Sequence, residues 1–428
     1  MLPISLADAV PPAAAAPSTP LGPFEDSAVA WTAWVTLMGF VGLSALALVA
    51  AGPAARRIGT VTLAAVTARL ARAAVVVGVL AVPAVLTGLA HDASADGKGY
   101  DYGAAWNALY DGSNDGRLSG LEVTFVLAGA VLLAPLAVRR VAGGPVRSWL
   151  LAAGLGAGAT ALGTTKFPDE MPDDWGRTVF GTLMWMLHLL GGAVWLGGVA
   201  GLVLLALPGV LAPAERGAFW SPAIRRFSAA AMGCVAAITL SGLFPYREHV
   251  DGLHQLLTTM YGRVLGVKIL LFGGLLVLGA FNQFWLHPRI DVLRAAGDER
   301  PLRTLLVRKF PVVVGVEALL GMALLFVAPF LHGSARNQAY QADAAAHSAT
   351  PLNLDDLPRL PQKEAGLSTW VWGSTETLLV IGLMVAGYLV SGALARRRTA
   401  GGRTAGEATG DATGEGAGTR EAADLRRA

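Results

Sequence analysis

The chain has 428 residues, of which 54% are hydrophobic and 15% are charged, and its mean hydropathy is +0.53. This composition indicates a membrane protein, whose solvent over much of its length is lipid. The formal net charge of +3 is too small to indicate a nucleic-acid partner, and the single Cys234 excludes an internal disulfide and any multi-cysteine metal site.

Residues 1–27 form a Pro- and Ala-rich segment without Lys or Arg, which does not match a secretory signal because such a signal begins with positive charge. Beyond it, apolar runs of about 20 residues, long enough to cross a bilayer, recur along the chain. The runs predict nine transmembrane helices, at Ala28–Ala51, Leu70–Ala90, Leu121–Val138, Ser148–Thr165, Val179–Leu207, Phe227–Phe244, Val264–Leu286, Phe310–Leu331 and Trp370–Ala395. The expected fold class is an all-α, polytopic transmembrane helical bundle.

Positive charge alternates between the segments that connect these runs. Arginine clusters follow the first, third, fifth, seventh and ninth runs, and the positive-inside rule places such segments in the cytoplasm. We therefore predict a multi-pass plasma-membrane protein with its N-terminus outside and its C-terminus in the cytoplasm. The expected organisation is an external segment 1–27, a four-helix region 28–165, a second membrane region 166–332, an external loop 333–369, a ninth helix 370–395 and a disordered cytoplasmic tail 396–428.

The first external loop contains a motif that resembles a twelve-residue EF-hand calcium loop, at residues 111–122. Such a loop places oxygen ligands at positions 1, 3, 5, 7, 9 and 12, with glycine at the sharp turn, which here is Gly116. The predicted calcium ligands are Asp111, Ser113, Asp115, the carbonyl of Arg117, Ser119 and Glu122. The alternative is an ordinary polar turn, because Asp, Gly, Ser and Asn also form turns.

The fifth run carries Met184 and His188, which lie on one helix face because they are four residues apart. His188 lies about 13 Å below the external end of its helix, near the middle of a bilayer, at 1.5 Å per residue. A thioether and an imidazole suit copper, especially Cu(I). The alternative is a core histidine bonded to a neighbouring helix, and Cys234 in the sixth run is a third candidate ligand whose alternative is inert filler.

Further candidates follow the sixth run, where an external loop with two imidazoles and a thioether, His249, His254 and Met260, can receive a metal ion or can simply be solvated. His332 ends the eighth run as another candidate copper ligand. We predict that Arg263 and Lys268 together bind a carboxylate or carbonyl near the external mouth. Glu317 lies roughly 10 Å or more away in depth and is expected to face a hydrated interior.

An ordered set of short motifs connects these positions. It comprises His188 with Trp195-Leu-Gly-Gly198, Arg226-Phe-Ser228, Ser241-Gly242, Thr259-Met-Tyr261-Gly-Arg263 with Lys268, Gly279-Ala-Phe-Asn282, and Glu317-Ala-Leu-Leu-Gly321 followed by Pro329. Over Met184–Leu331 the chain resembles the CopD family of copper-resistance membrane proteins, so that residues 166–332 are expected to be a CopD-like domain. The resemblance implies an all-helical inner-membrane protein that serves copper uptake or copper tolerance, often with a separate extracytoplasmic copper carrier of the CopC type. The chain departs from the family in its ninth helix and its EF-hand-like loop.

The sequence thus predicts a copper permease that moves copper inward, with calcium as a second bound ion. No nucleotide-binding glycine loop or nucleophile constellation is present in the sequence, so we expect a transporter, not an enzyme, that is passive or coupled to potential or protons. Two alternatives stay open. One is a b-type haem electron carrier, which needs two axial ligands at similar depth, and the other is a copper-binding assembly or sensor protein that does not transport.

Overall fold

The computed structural model describes residues 24–94, 99–110, 114–168, 174–281, 309–331 and 333–347, together with a few single positions from residue 360 onward. The chain divides into two compact units, Met1–Gly373 and Ser374–Ala428. Every helix named below belongs to the first unit. Most of the ninth predicted helix lies outside the described residues.

The described part of the chain is built from α-helices, which satisfy their own backbone hydrogen bonds, as lipid requires. The main helices are α1 (Phe24–Leu46), α2 (Thr60–Asp92), α3 (Tyr102–Ala108), α4 (Asn114–Leu133), α5 (Arg147–Thr164), α6 (Trp175–Ala206), α7 (Arg216–His249), α8 (Met260–Phe281), α9 (Lys309–Val327) and α10 (Ala335–Ala346). After α1 the helix continues through a π-helical turn, Ala47–Ala51, to Gly52–Arg56. Asp174 caps α6, where its side chain accepts a hydrogen bond of 3.0 Å from the Arg177 amide.

Six helices in the described part are long and apolar enough to cross a membrane, and a pair bent by 44°, Gly315–Phe330 with Ala335–Ala344, would make a seventh. The all-helical membrane fold is therefore confirmed, whereas the predicted number of nine is not. The run Ser148–Thr165 forms α5 but is not among the six, because glycines and its first arginine lower its hydropathy. Some predicted loops are also helical: Arg225, Arg226 and His249 all lie inside α7.

The first helix lies at the centre of the bundle. In the most apolar stretch of this helix, 72% of the residues are buried inside the protein. In the corresponding stretch of α8 only 11% are buried, so most of the surface of α8 faces outward. Phe40 explains much of this packing, because its fully buried ring contacts glycines from three other helices. A Cβ atom on any of Gly78, Gly129 or Gly158 would lie within 2.9 Å of that ring, so these helices approach α1 only where they lack side chains.

A second close contact joins α1 to α6. A Cβ atom on Gly42 would lie 2.1 Å from the carbonyl oxygen of Ala193 and 2.5 Å from the Cα of Gly197. The two backbones therefore touch directly, and a larger side chain at either glycine would force them apart. This contact fixes the helix that carries His188 against the centre of the bundle.

Candidate metal-binding cavity

A cavity of about 740 Å³ lies between the helices and includes both His188 and Lys268 in its lining. One face of α6 forms a wall, with residues at the three- and four-residue spacing of a helix: Trp185, His188, Leu189, Gly192, Trp195 and Leu196. Further walls come from α1, α2, α4, α7, α8 and α9. Most of the described membrane helices thus contribute to one cavity.

The cavity occupies one end of the bundle. Its lining includes Asp26 at the start of α1, His91 near the end of α2, Lys166 just after α5 and His249 at the end of α7. These are the helix ends that the charge pattern predicts to face outside. Beyond Trp195, which is 4% exposed, the bundle is closed by packed side chains and by the α1–α6 backbone contact.

A hydrogen bond to α7 orients the ring of His188. Its Nδ1 lies 3.1 Å from the hydroxyl oxygen of Ser241, and that hydroxyl donates its one proton to the carbonyl of Ala237 at 2.6 Å. The hydroxyl oxygen must therefore accept a proton from Nδ1, a tautomer assigned from the hydrogen-bond pattern. The neutral ring consequently keeps its lone pair on Nε2, the atom available to a metal ion.

A second imidazole, His249, lies in the same cavity nearer its mouth. Its Nδ1 donates to the carbonyl of Pro245 at 2.8 Å, and its ring stacks on Tyr261 with centroids 5.6 Å apart. The same reasoning leaves the lone pair on Nε2. Since His249 is eight residues beyond Ser241, the two imidazoles differ in depth by about 12 Å along α7, which does not match two axial ligands of one haem.

Two lysines give the cavity positive charge. The ammonium of Lys166 lies 5.0 Å above the centroid of the Trp185 ring and 5.8 Å from that of Trp34, an arrangement that favours the charged form through the ring quadrupole. Burial acts in the opposite direction and lowers the pKa of Lys166. Lys268 also lines the cavity, whereas Arg263 donates to the carbonyl of Leu257 at 2.8 Å, so these two side chains do not meet at one group.

Several predicted ligands do not reach this cavity. Met184 is not in its lining, because the wall is formed by Trp185 on the adjacent side of α6. The carbonyl oxygen of Cys234 faces Gly191, 3.1 Å from where a Cβ on that glycine would be. The side chain of α7 that is hydrogen-bonded to His188 is that of Ser241. His254 is exposed and Met260 half-buried, and neither lines the cavity.

The eighth predicted run provides Glu317, which is 7% exposed and therefore packs against protein. On α9 the cavity lining begins only at Leu324, two turns further along. The motif residue Asn282 and the predicted copper ligand His332 lie outside the described residues. Arg226 lies at the other end of α7, far from the cavity, in a separate pocket.

The predicted calcium loop is wrong over the part that the structure describes. Asp111 and Ser113 lie outside the described residues, and the side chain of Asp115 is not described, but Asn114–Leu133 is one continuous helix. A calcium loop needs a sharp turn at Gly116 and non-helical backbone beyond it. Instead Ser119 and Glu122, three residues apart on α4, line the same cavity as His188.

The cavity therefore offers the imidazoles of His188 and His249 at two depths and that of His91 beside Asp26, together with carboxylates and lysines. Within the described ranges, no group of three or more His, Cys, Asp and Glu residues is placed to hold a metal ion. The sequence alone predicts His188 and Lys268 as site residues, but it does not indicate that Lys166 lines the same cavity. Ser241 was visible only as part of a short Ser-Gly motif.

Comparison with known proteins finds a family match in the second half of the chain. Residues 221–331 match the family model of CopD, copper resistance protein D. We call these residues the CopD segment. The CopD segment contains Ser241, His249, Tyr261 and Lys268 and begins after His188. The match therefore covers the C-terminal three quarters of Met184–Leu331, the range over which the sequence resembles the family.

The chain is also similar to a curated protein of Bacillus subtilis strain 168 named copper transport protein CutJ. The two are 31% identical over 183 residues, which are 43% of this chain and 31% of the relative. The chain thus spans less than a third of that relative's length. No solved structure matches the chain. The apolar helices indicate an integral membrane protein, and the two matches show that part of the chain is similar to copper-resistance and copper-transport proteins.

Proposed function

We propose that this protein carries copper across the plasma membrane, in the direction of the cytoplasm. The observation that carries the proposal is His188, whose Nε2 lone pair is kept free at the wall of a cavity closed beyond Trp195. The CopD segment and the relative named a copper transport protein support copper as the cargo. Imidazole nitrogen is a good ligand for copper.

The positions of His249 and His188 in the cavity suggest the order in which copper meets them. Copper first meets His249 near the mouth and then His188 about 12 Å deeper, and each imidazole holds the ion only as one ligand among exchangeable ones. The wide external end would receive copper from a separate extracytoplasmic carrier of the CopC type. Passage beyond Trp195 requires the packed floor of the cavity to rearrange, driven by the membrane potential, by protons or by the copper gradient alone.

Copper uptake into proteoliposomes tests the proposal. His188→Ala should reduce uptake to the background of empty vesicles while the protein remains folded, because the deep ligand is lost. His254→Ala is the matched control, since that histidine is exposed and outside the cavity, and its uptake should equal that of the wild type. Uptake by His188→Ala at the wild-type rate would refute the assignment.

The same vesicles separate transport from binding alone. Wild-type protein that binds copper in detergent but transfers none into vesicles would instead indicate an assembly or sensor protein. The cavity favours transport, because its lining extends from the helix ends to the level of Lys268 and Trp195 deep in the bundle. A surface site would not need that depth.

A further inference from the structure

A second pocket, of about 400 Å³, lies at the other end of the bundle and has a strongly basic lining. Its residues are Leu48, Pro53, Arg56, Arg57, Arg147, Ser148 and Arg226. Four of the seven are arginines and none is acidic. The arginines come from three separate segments of the chain: Arg56 and Arg57 follow α1, Arg147 begins α5, and Arg226 lies in α7. The fold itself therefore brings these like charges together.

Arg147 is the most unusual member of this pocket. It is 3% exposed, and its Nη1 is buried without a hydrogen-bond partner among the described residues. Its Nη2 donates a long hydrogen bond, of 3.4 Å, to the hydroxyl of Ser148. The charge of Arg56 lies near enough to repel it. A buried, unpaired guanidinium is costly, and an anion in the pocket would remove that cost.

The start of α5 adds a third attraction for an anion. Arg147 and Ser148 are the first two residues of this 18-residue helix, and the residue before them, Val146, provides no side-chain cap. The first amide groups of a helix lack partners within the helix and carry partial positive charge. A helix start of this kind, open to a pocket, is a ready anion site.

We propose that this pocket binds a phosphate group. Guanidinium groups form paired hydrogen bonds with phosphate oxygens, and four of them around one helix start suit an anion with several equivalent oxygens. The phosphate comes either from the head group of an anionic phospholipid or from free phosphate in the cytoplasm. Bound there, it ties α5, α7 and the segment after α1 together at one end of the bundle.

Two probes test the proposal on the full-length protein. The first is inorganic phosphate, whose binding is followed by thermal unfolding in phosphate-free detergent. The second is retained lipid, measured by native mass spectrometry after reconstitution with phosphatidylglycerol or with phosphatidylcholine. Arg226 is an exposed residue of the pocket. Arg226→Gln should weaken binding at least tenfold for whichever of the two probes the wild type binds. Arg147→Gln should do the same or more.

Arg140→Gln is the matched control, because Arg140 is an exposed arginine outside the pocket. It should bind both probes like the wild type. Saturable phosphate binding without selective retention of phosphatidylglycerol supports free phosphate as the ligand. Selective retention of phosphatidylglycerol without saturable phosphate binding supports the lipid head group. If neither probe binds, or if Arg140→Gln and Arg226→Gln weaken binding equally, the proposal is overturned; Arg226→Gln keeps it testable even where Arg147→Gln fails to fold.

Discussion

The cavity that contains His188 and the arginine-lined pocket lie toward opposite ends of α1 and differ in their chemistry. The one near Asp26 combines imidazoles, carboxylates and two lysines, whereas the one near Leu48 has arginine as its only ionisable residue type. A metal cation finds neutral nitrogen ligands in the first and repulsion in the second. We therefore expect copper to leave the protein by a route that avoids the basic pocket, so the two cavities are not the ends of one channel.

The largest expected effect comes from removing the floor between the cavities. Trp195→Ala deletes a buried ring that packs against Phe272 at a centroid distance of 6.0 Å. It should lower the free energy of unfolding by about 3–5 kcal/mol and make proteoliposomes leak ions. Denaturant unfolding and a pH-sensitive dye inside the vesicles measure the two effects.

Trp149→Ala is the control for that change, because Trp149 is 80% exposed at the start of α5. It should change neither unfolding nor leakage by a measurable amount in detergent or in vesicles. If the two variants behaved alike, Trp195 would not separate the cavities, and the contrast between them would lose its structural basis.

An intermediate effect is expected from Ser241→Ala, which removes the acceptor that fixes the tautomer of His188. Loss of such an orienting partner typically weakens metal affinity about 10–100-fold. Competition with a Cu(I) chelator measures the affinity. Thr239→Ala removes a similar hydroxyl, bonded to the Val235 carbonyl on the same helix, and should leave copper affinity unchanged; equal losses in both variants would contradict the tautomer assignment.

The smallest expected effect concerns pH. Burial lowers the pKa of Lys166 from its ordinary value of 10.5, so its ammonium loses a proton at a lower pH than an exposed lysine would. The charged form of Lys166 repels copper. The affinity of the protein for copper should therefore rise by roughly two- to fivefold as pH increases through that pKa.

Two variants sharpen this test. Lys166→Met should show the high affinity at every pH, and Lys166→Arg the low affinity at every pH, because arginine stays protonated throughout the range. A rise of the same size in all three proteins would assign the effect to another group.

The sequence could predict the membrane helices because apolar runs of about 20 residues have few other uses. It predicted the helix around Phe227–Phe244 too short, since Arg225 and Arg226 were taken for a loop although long cationic side chains can extend from a helix to the interface. The calcium loop failed for a related reason. Leu118 and Leu121 extend the apolar run of α4 toward its start, and this run prevailed over the polar residues between them.

The candidate site could be predicted only in part. His188 is visible because an imidazole in an apolar run is rare, but the choice between Met184 and Trp185 as its neighbour in the cavity depends on how α6 is rotated. That rotation follows from Gly42 and Gly197, a contact between residues far apart in the sequence. The tautomer of His188 depends likewise on Ser241, which another helix supplies.

The backbone contact between α1 and α6 has a mechanical consequence. Helices that touch without side chains between them cannot slide or tilt past each other without a clash, so α6 and His188 form the stationary part of the protein. Two helices of the CopD segment, α7 and α8, have few buried residues, 17% and 11% of their most apolar windows. We expect the proposed transport cycle to swing Ser241, His249 and Lys268 past a fixed His188, so that the hydrogen bond from Nδ1 to Ser241 is kept or lost according to the position of α7.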